Sequence, residues 1–200
     1  MAKLYFRYSA MGAGKTLHLL QVVNNYERLG KKCIVMKPSI DEKAGTKVSS
    51  RLGLEREVDY LIDSESMLDD LILNSLLLDT ECIVVDEAQF LSPEQVWRLY
   101  EITKELDIPV IAYGLRTRVN AKPFTGSAPL LAIADDIEEI KSICPCGNKA
   151  TFQIRYINDE LDIGDEEVVI DTPENNVRYE AVCGKCYVKL RSINGKSRIY

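Results

Sequence analysis

Two hundred residues, 46% apolar and 28% charged, suffice for one well-buried core and a small appended module, and they exclude disordered and collagen-like classes. A formal charge of −6 and a pI near 5.0 argue against a broad nucleic-acid footprint, which needs clustered Lys and Arg, yet leave room for a local pocket that takes a small anion. No apolar run approaches the ~18 residues that cross a bilayer, and "MAKLYFRYSAMG" enters a strand pattern without a secretory segment; a cytoplasmic location with no membrane partner is expected.

In chain order, "KLYFRYSA" is an apolar, β-rich run leading into "YSAMGAGKTL", residues 8–17. Gly14, Lys15 and Thr16 close the phosphate-loop pattern G-x-x-x-x-G-K-[ST], with Ser9 where the first glycine belongs. Alone, the string also fits a chance Gly-Lys-Thr. "KTLHLLQVVNNYERLG" then reads as a helix with Leu17, Leu20, Val23 and Leu29 on one face and Gly30 as its stop. Strand, loop and helix in this order aim backbone N–H groups and the helix dipole at a phosphate, from Ser9, Ala10, Met11, Gly12 and Ala13 to Gly14. Lys15 would neutralise the β- and γ-phosphates and Thr16 would offer its hydroxyl to Mg²⁺. His18 reads as a surface side chain.

"KKCIVMKP" is a buried strand stopped by Pro38, and "SIDEKAGTKVSSRLGLE" a polar loop. "SESMLDDLILNSLLL" carries a capping-box start at Ser64 or Ser66 and an apolar helical stretch. "ECIVVDEAQFLS" is a strand ending in Asp86 and Glu87, the shape of a Walker B element. Asp86 would stand beside the Mg²⁺, and Glu87 would serve as base or water-orienting group; the bland alternative is a solvated acidic strand end. Ser92, Pro93 and Glu94 open the helix "PEQVWRLYEITKEL", with Trp97 expected in the core, and "IPVIAYGL" is a further strand. Cys33 and Cys82 read as small core residues. The alternation implies an α/β fold, a mostly parallel sheet with helices on both faces, over residues 1–143.

Residues 144–200 read as a separate small β module without a helical stripe, with strands around 151–157 and 167–170 and turns at Asn158, Gly164 and Pro173. "DELDIGDEE" reads as a solvated loop. Cys144 and Cys146 form C-x-C, Cys183 and Cys186 form C-x-x-C, and four thiolates so spaced can close a structural Zn²⁺ site, in preference to redox chemistry or free thiols.

Taken together and in order, "YSAMGAGKT", "KVSSRLGL", "VVDEAQF", "IPVIAYGLRT", "CPCG" and "RYEAVCGKC" resemble type II thymidine kinases, the group that includes the human cytosolic enzyme and many bacterial ones. Ser at the first loop position is an accepted variant there. The resemblance implies a RecA-like P-loop domain with a zinc-anchored lasso, and transfer of the ATP γ-phosphoryl group to the 5′-hydroxyl of thymidine, with deoxyuridine as a further substrate, in deoxynucleotide salvage for DNA synthesis. It implies a homotetramer. By position, Glu87 matches the catalytic base, the ATP contacts extend through Asp86, Glu87, Ala88 and Gln89, and the thymine pocket maps onto Met11, Phe90, Leu115, Phe124 and Tyr179. Val169, Ile170, Asp171 and Thr172 match the lasso that hydrogen-bonds the base. Asp41 and Arg51 match outer groups around Mg²⁺ and phosphate.

This chain departs from the family pattern at Val119, where an aromatic residue is usual, at Lys43, where arginine is common, and at Asp171 and Thr172, where a glycine pair often stands. Two other readings compete: a nucleic-acid-dependent P-loop ATPase or zinc-ribbon binding module, disfavoured by the acidic charge, and a non-catalytic nucleotide sensor on the same fold.

Overall fold

The structure, a computed structural model, describes residues 1–40, 45–68, 77–166, 169 and 176–193. It divides into two compact units, neither continuous in sequence: residues 1–8, 14–115 and 125–140 form the first, and residues 9–13, 116–124 and 141–200 the second. The expected boundary after residue 143 follows the chain, whereas this division assigns two earlier segments to the second unit.

The first unit contains strands β1 (Leu4–Ser9), β2 (Lys32–Pro38), β3 (Lys47–Ser49), β4 (Glu55–Glu57), β5 (Tyr60–Ile62), β6 (Thr80–Val85), β7 (Val110–Leu115) and β8 (Asp136–Glu139). Its helices are α1 (Lys15–Glu27), α2 (Pro93–Glu105) and α3 (Ser127–Ile133). Six strands make one sheet in the order β5-β2-β6-β7-β1-β8, and the pairs β2–β5, β2–β6, β6–β7 and β1–β8 run parallel. Successive side chains on a strand point to opposite faces, and both faces here are covered. Ile34, Met36, Ile83 and Val85 pack with Val96, Leu99 and Ile102 of α2 and Leu130 of α3. Their neighbours Cys33, Val35, Cys82 and Val84 pack with Leu19 and Val23 of α1. Double coverage is why β2 and β6 read as unbroken apolar runs, and Cys33 and Cys82 are core residues.

The two helices begin in contrasting ways. The N-terminus of α2 is closed by a capping box: Ser92 Oγ accepts from Gln95 N at 3.1 Å, Gln95 Oε1 accepts from Ser92 N at 3.0 Å, and Pro93 and Glu94 occupy the first turn. At α1 the cap is Gly14, left-handed at φ 84°, with no side-chain cap and no acidic residue in the first turn.

Three expectations for this unit need correction. The "polar loop" contains a hairpin, β3 paired antiparallel with β4, held inward by the buried Val48. Trp97 is 50% exposed and meets Tyr100 edge-on, because α2 buries the stripe of Val96, Leu99 and Ile102 and turns Trp97 outward. On α1, Leu19 replaces Leu29 in the buried face, since the helix ends at Glu27 and Leu29 is exposed. The body of the helix expected from "SESMLDDLILNSLLL" lies outside the described residues at 69–76, as do Asp41 and Lys43.

The second unit contains the pair β9 (Ser142–Ile143) and β10 (Lys149–Ala150), and an antiparallel sheet of β11 (Phe152–Ile157), β12 (Glu160–Asp162) and β13 (Val177–Val182) in the order β12-β11-β13. Asn158 and Asp159, both at positive φ, make the tight turn between β11 and β12. A helix, α4 (Gly184–Ile193), follows directly on Cys183 and corrects the reading of an all-β module. Its Tyr187 stacks on Phe152 at 4.7 Å between ring centroids and donates its hydroxyl to Val119 O at 2.7 Å. The acidic stretch is not wholly solvated either: Asp162 accepts from the guanidinium of the fully buried Arg155, and Asp165 accepts from Lys122 Nζ at 3.0 Å.

Candidate active site

In the first unit the phosphate loop's end and the acidic strand end meet. Thr16, on the first turn of α1, places Oγ1 3.3 Å from Asp86 Oδ2, and Lys15 is buried beside them. Asp86 follows β6, its N–H donating to Met36 O at 2.9 Å, which fixes the strand end against β2. Burial first, and the adjacent Glu87 carboxylate second, push the Asp86 carboxyl up to about 7, against the opposing pull of Lys15, the Glu87 N–H and the Thr16 hydroxyl. A hydroxyl and a carboxylate oxygen so placed form a hard-oxygen donor pair of the kind Mg²⁺ takes.

That shift has a sign. A carboxyl whose proton is held more tightly in the fold contributes stability below its unfolded value of 3.8 that is lost as the pH rises through about 7. The metal-free protein should therefore lose melting temperature between about pH 4 and about pH 7, and Asp86→Asn should flatten the slope. Thermal scans across that range check it; a slope unchanged by the substitution would remove Asp86 as the cause.

Glu87 is half-buried and sits at φ 50°, ψ 35°, a left-handed conformation rare for a residue with a side chain and commonest at functional sites. A 3₁₀ turn, Ala88–Phe90, follows. Gln89, wholly buried, donates Nε2 to Glu87 Oε2 and accepts the Leu115 N–H on Oε1 at 3.0 Å. Ser127 Oγ donates to Leu115 O. Gly126 lies so close under this turn that an added Cβ would stand 2.4 Å from Ala88 O and 2.9 Å from Leu91 O. Both neighbours are backbone, so Gly126→Ala should destabilise by about 2 kcal/mol or more and lower turnover as the 88–91 turn is pushed aside. Chemical denaturation measures the first effect, and a wild-type midpoint would refute the close approach.

Phe90 and Leu115 lie in this unit, half-buried and buried respectively, while Arg51 is exposed. His18 is exposed as expected, with Nδ1 3.3 Å from the Tyr113 hydroxyl. Met11, Phe124 and Tyr179 belong to the second unit, where Phe124 is buried and the other two half-buried. Also there, Ser9 is buried with its hydroxyl donating to Ala10 O at 2.6 Å, and Gly12 takes φ 75°. Val169 is described and half-buried; Ile170, Asp171 and Thr172 lie outside the described residues.

The second unit also gathers the four late cysteines. The Sγ atoms of Cys144, Cys146, Cys183 and Cys186 lie within 4.8 Å of one another. The C-x-C turn is closed by Gly147 N donating to Cys144 O and Cys144 N to Asn148 O, both at 2.8 Å, with Gly147 left-handed at φ 86°. Backbone and side-chain N–H groups of Asn148 draw the Cys146 thiol down to about 6, which favours the thiolate a metal requires. The donor chemistry fits a metal with four soft ligands and no open position.

Sequence reasoning placed Gln89 among the ATP contacts and missed its bridge to Leu115, and it missed Ser127 and Arg155 altogether. A glutamine two residues after the acidic pair, and a lone arginine inside the apolar β11, were the available signals.

A mostly parallel sheet covered on both faces, with Gly14-Lys15-Thr16 opening a helix that meets the aspartate after β6, defines a P-loop α/β protein. A model of the family described as "Thymidine kinase" matches residues 2–187. The chain is similar to the thymidine kinase of Francisella tularensis subsp. holarctica, 45% identical over 92% of this chain and 96% of that protein. It is equally similar to that of Chromobacterium violaceum, 45% identical over 94% and 98%, and it is 42% identical to that of Salmonella choleraesuis over 94% and 91%. The chain belongs to the thymidine kinase family.

Proposed function

We propose that this protein transfers the γ-phosphoryl group of ATP to the 5′-hydroxyl of thymidine, with deoxyuridine as a second acceptor. The observation that carries the reading is the pairing of Thr16 with Asp86 at 3.3 Å, one residue before a half-buried Glu87, in a chain that belongs to this family. The amides from Ser9 to Gly14 and the start of α1 bind the phosphates, and Lys15 neutralises their charge. Thr16 and Asp86 would hold Mg²⁺, which would supply compensation for charge on the phosphoryl oxygens. Glu87 accepts the proton of the 5′-hydroxyl as the new O–P bond forms, and the bond to the ADP oxygen breaks on the opposite side. Ala88 and Gln89 carry the acidic element into the 3₁₀ turn.

By resemblance, Met11, Phe90, Leu115, Phe124 and Tyr179, together with Val169, Ile170, Asp171 and Thr172, are the residues proposed to contact thymine. Cys144, Cys146, Cys183 and Cys186 would hold Zn²⁺, which would cross-link the second unit. By resemblance the enzyme is a cytoplasmic homotetramer, which analytical ultracentrifugation checks for the assembly. The direct assay incubates the protein with Mg-ATP and a panel of nucleosides. Thymidine 5′-monophosphate and ADP should appear in equal amounts; ATP hydrolysis without nucleoside phosphorylation would overturn the reading.

A further inference from the structure

We propose that Gln89 is a positioning residue that holds the Glu87 carboxylate in place against the end of β7. The inference rests on Glu87 being the base. With Glu87 in the left-handed region, its side chain folds back over the 3₁₀ turn far enough for the residue two positions on to reach it. The direction of the Gln89 amide is not free. The Leu115 N–H is a donor and must meet the oxygen, at 3.0 Å, so the NH₂ group necessarily faces the carboxylate. With Nε2 bound to Oε2, the Oε1 oxygen of Glu87 is left for the incoming hydroxyl.

Everything around Gln89 restricts it. It is wholly buried, so no water competes for its amide. Its backbone oxygen accepts the Gly126 N–H at 3.0 Å. Leu115, the far anchor, is itself held at its carbonyl by Ser127 Oγ. Gly114 leaves space for the amide: a Cβ there would stand 3.0 Å from Gln89 Oε1 and 3.1 Å from Gln89 N. The amide thus ties the base to Leu115, a proposed wall of the thymine pocket, so the carboxylate and the nucleoside site are referenced to one strand end.

The test compares Gln89→Met, similar in length but unable to hydrogen-bond, with wild type. The expected result is kcat lower by roughly 10- to 100-fold, the loss that a misplaced catalytic group produces. Gly114→Ala, which presses on the same amide from the opposite side, should lower kcat in the same way, and it decides the matter should Gln89→Met fail to fold. Because the effect runs through Glu87, adding Gln89→Met to Glu87→Gln should cost nothing further. A Gln89→Met kcat within about twofold of wild type overturns the proposal, and so does a full additional loss in the Glu87→Gln background. Retained turnover in Glu87→Gln alone is the separate result that removes Glu87 as the base.

Discussion

Glu87→Gln should lower turnover by about 100- to 10,000-fold, the usual contribution of a positioned general base, while ATP binds as in wild type. The amide keeps the size of the carboxylate and leaves Lys15, Thr16 and Asp86 in place, but it cannot take a proton from the 5′-hydroxyl. The loss should therefore fall on kcat and on kcat/KM alike, with the ATP dissociation constant preserved. Steady-state kinetics with thymidine, beside equilibrium binding of a fluorescent ATP analogue, separate the two quantities. Turnover equal to wild type would leave the chemistry to the phosphate and metal groups alone.

The second large effect is expected at the cysteine cluster. Cys144 and Cys183 are buried among Ala150, Ile154, Val182 and Tyr187, and this small cluster is the main core of the second unit. So little apolar surface stabilises a module weakly, whereas a structural zinc contributes on the order of 10 kcal/mol to domains of this kind. Cys183→Ser should remove bound zinc, lower the melting temperature by several degrees or more, and raise the KM for thymidine, because Phe124 and Tyr179, proposed thymine contacts, belong to this unit. Metal analysis and thermal melting with and without a chelator test it. A variant without metal that melts like wild type would show that the cysteines do not hold the module together.

The phosphate loop, β6 and the α2 cap were legible in the sequence because each is a contiguous string whose residue types are imposed by local geometry. Asp86 and Glu87 end an apolar run, and Ser92-Pro93-Glu94-Gln95 spells its own cap. What stayed hidden depends on contacts distant in sequence. Trp97 was misread because helical spacing marks a face without saying how wide the buried stripe is. β3 and β4 escaped because a two-stranded hairpin with one buried residue, Val48, has almost no apolar signature. The start of α4 is fixed by Cys183, whose role lies in the cluster with Cys144 across 38 intervening residues. The burial of Arg155 inside β11 is compensated by Asp162 and by the Glu166 carbonyl, contacts that no local pattern announces.

The uncapped start of α1 has a thermodynamic meaning for the enzyme at work. α2 carries its own side-chain cap, whereas no side chain caps the first amides of α1, which under the proposed function would meet phosphate oxygens. A nucleotide bound there would complete the start of that helix, coupling its binding to the helix's local stability. Hydrogen exchange at residues 15–17 should slow on adding ATP, while the first turn of α2 exchanges at the same rate in both states.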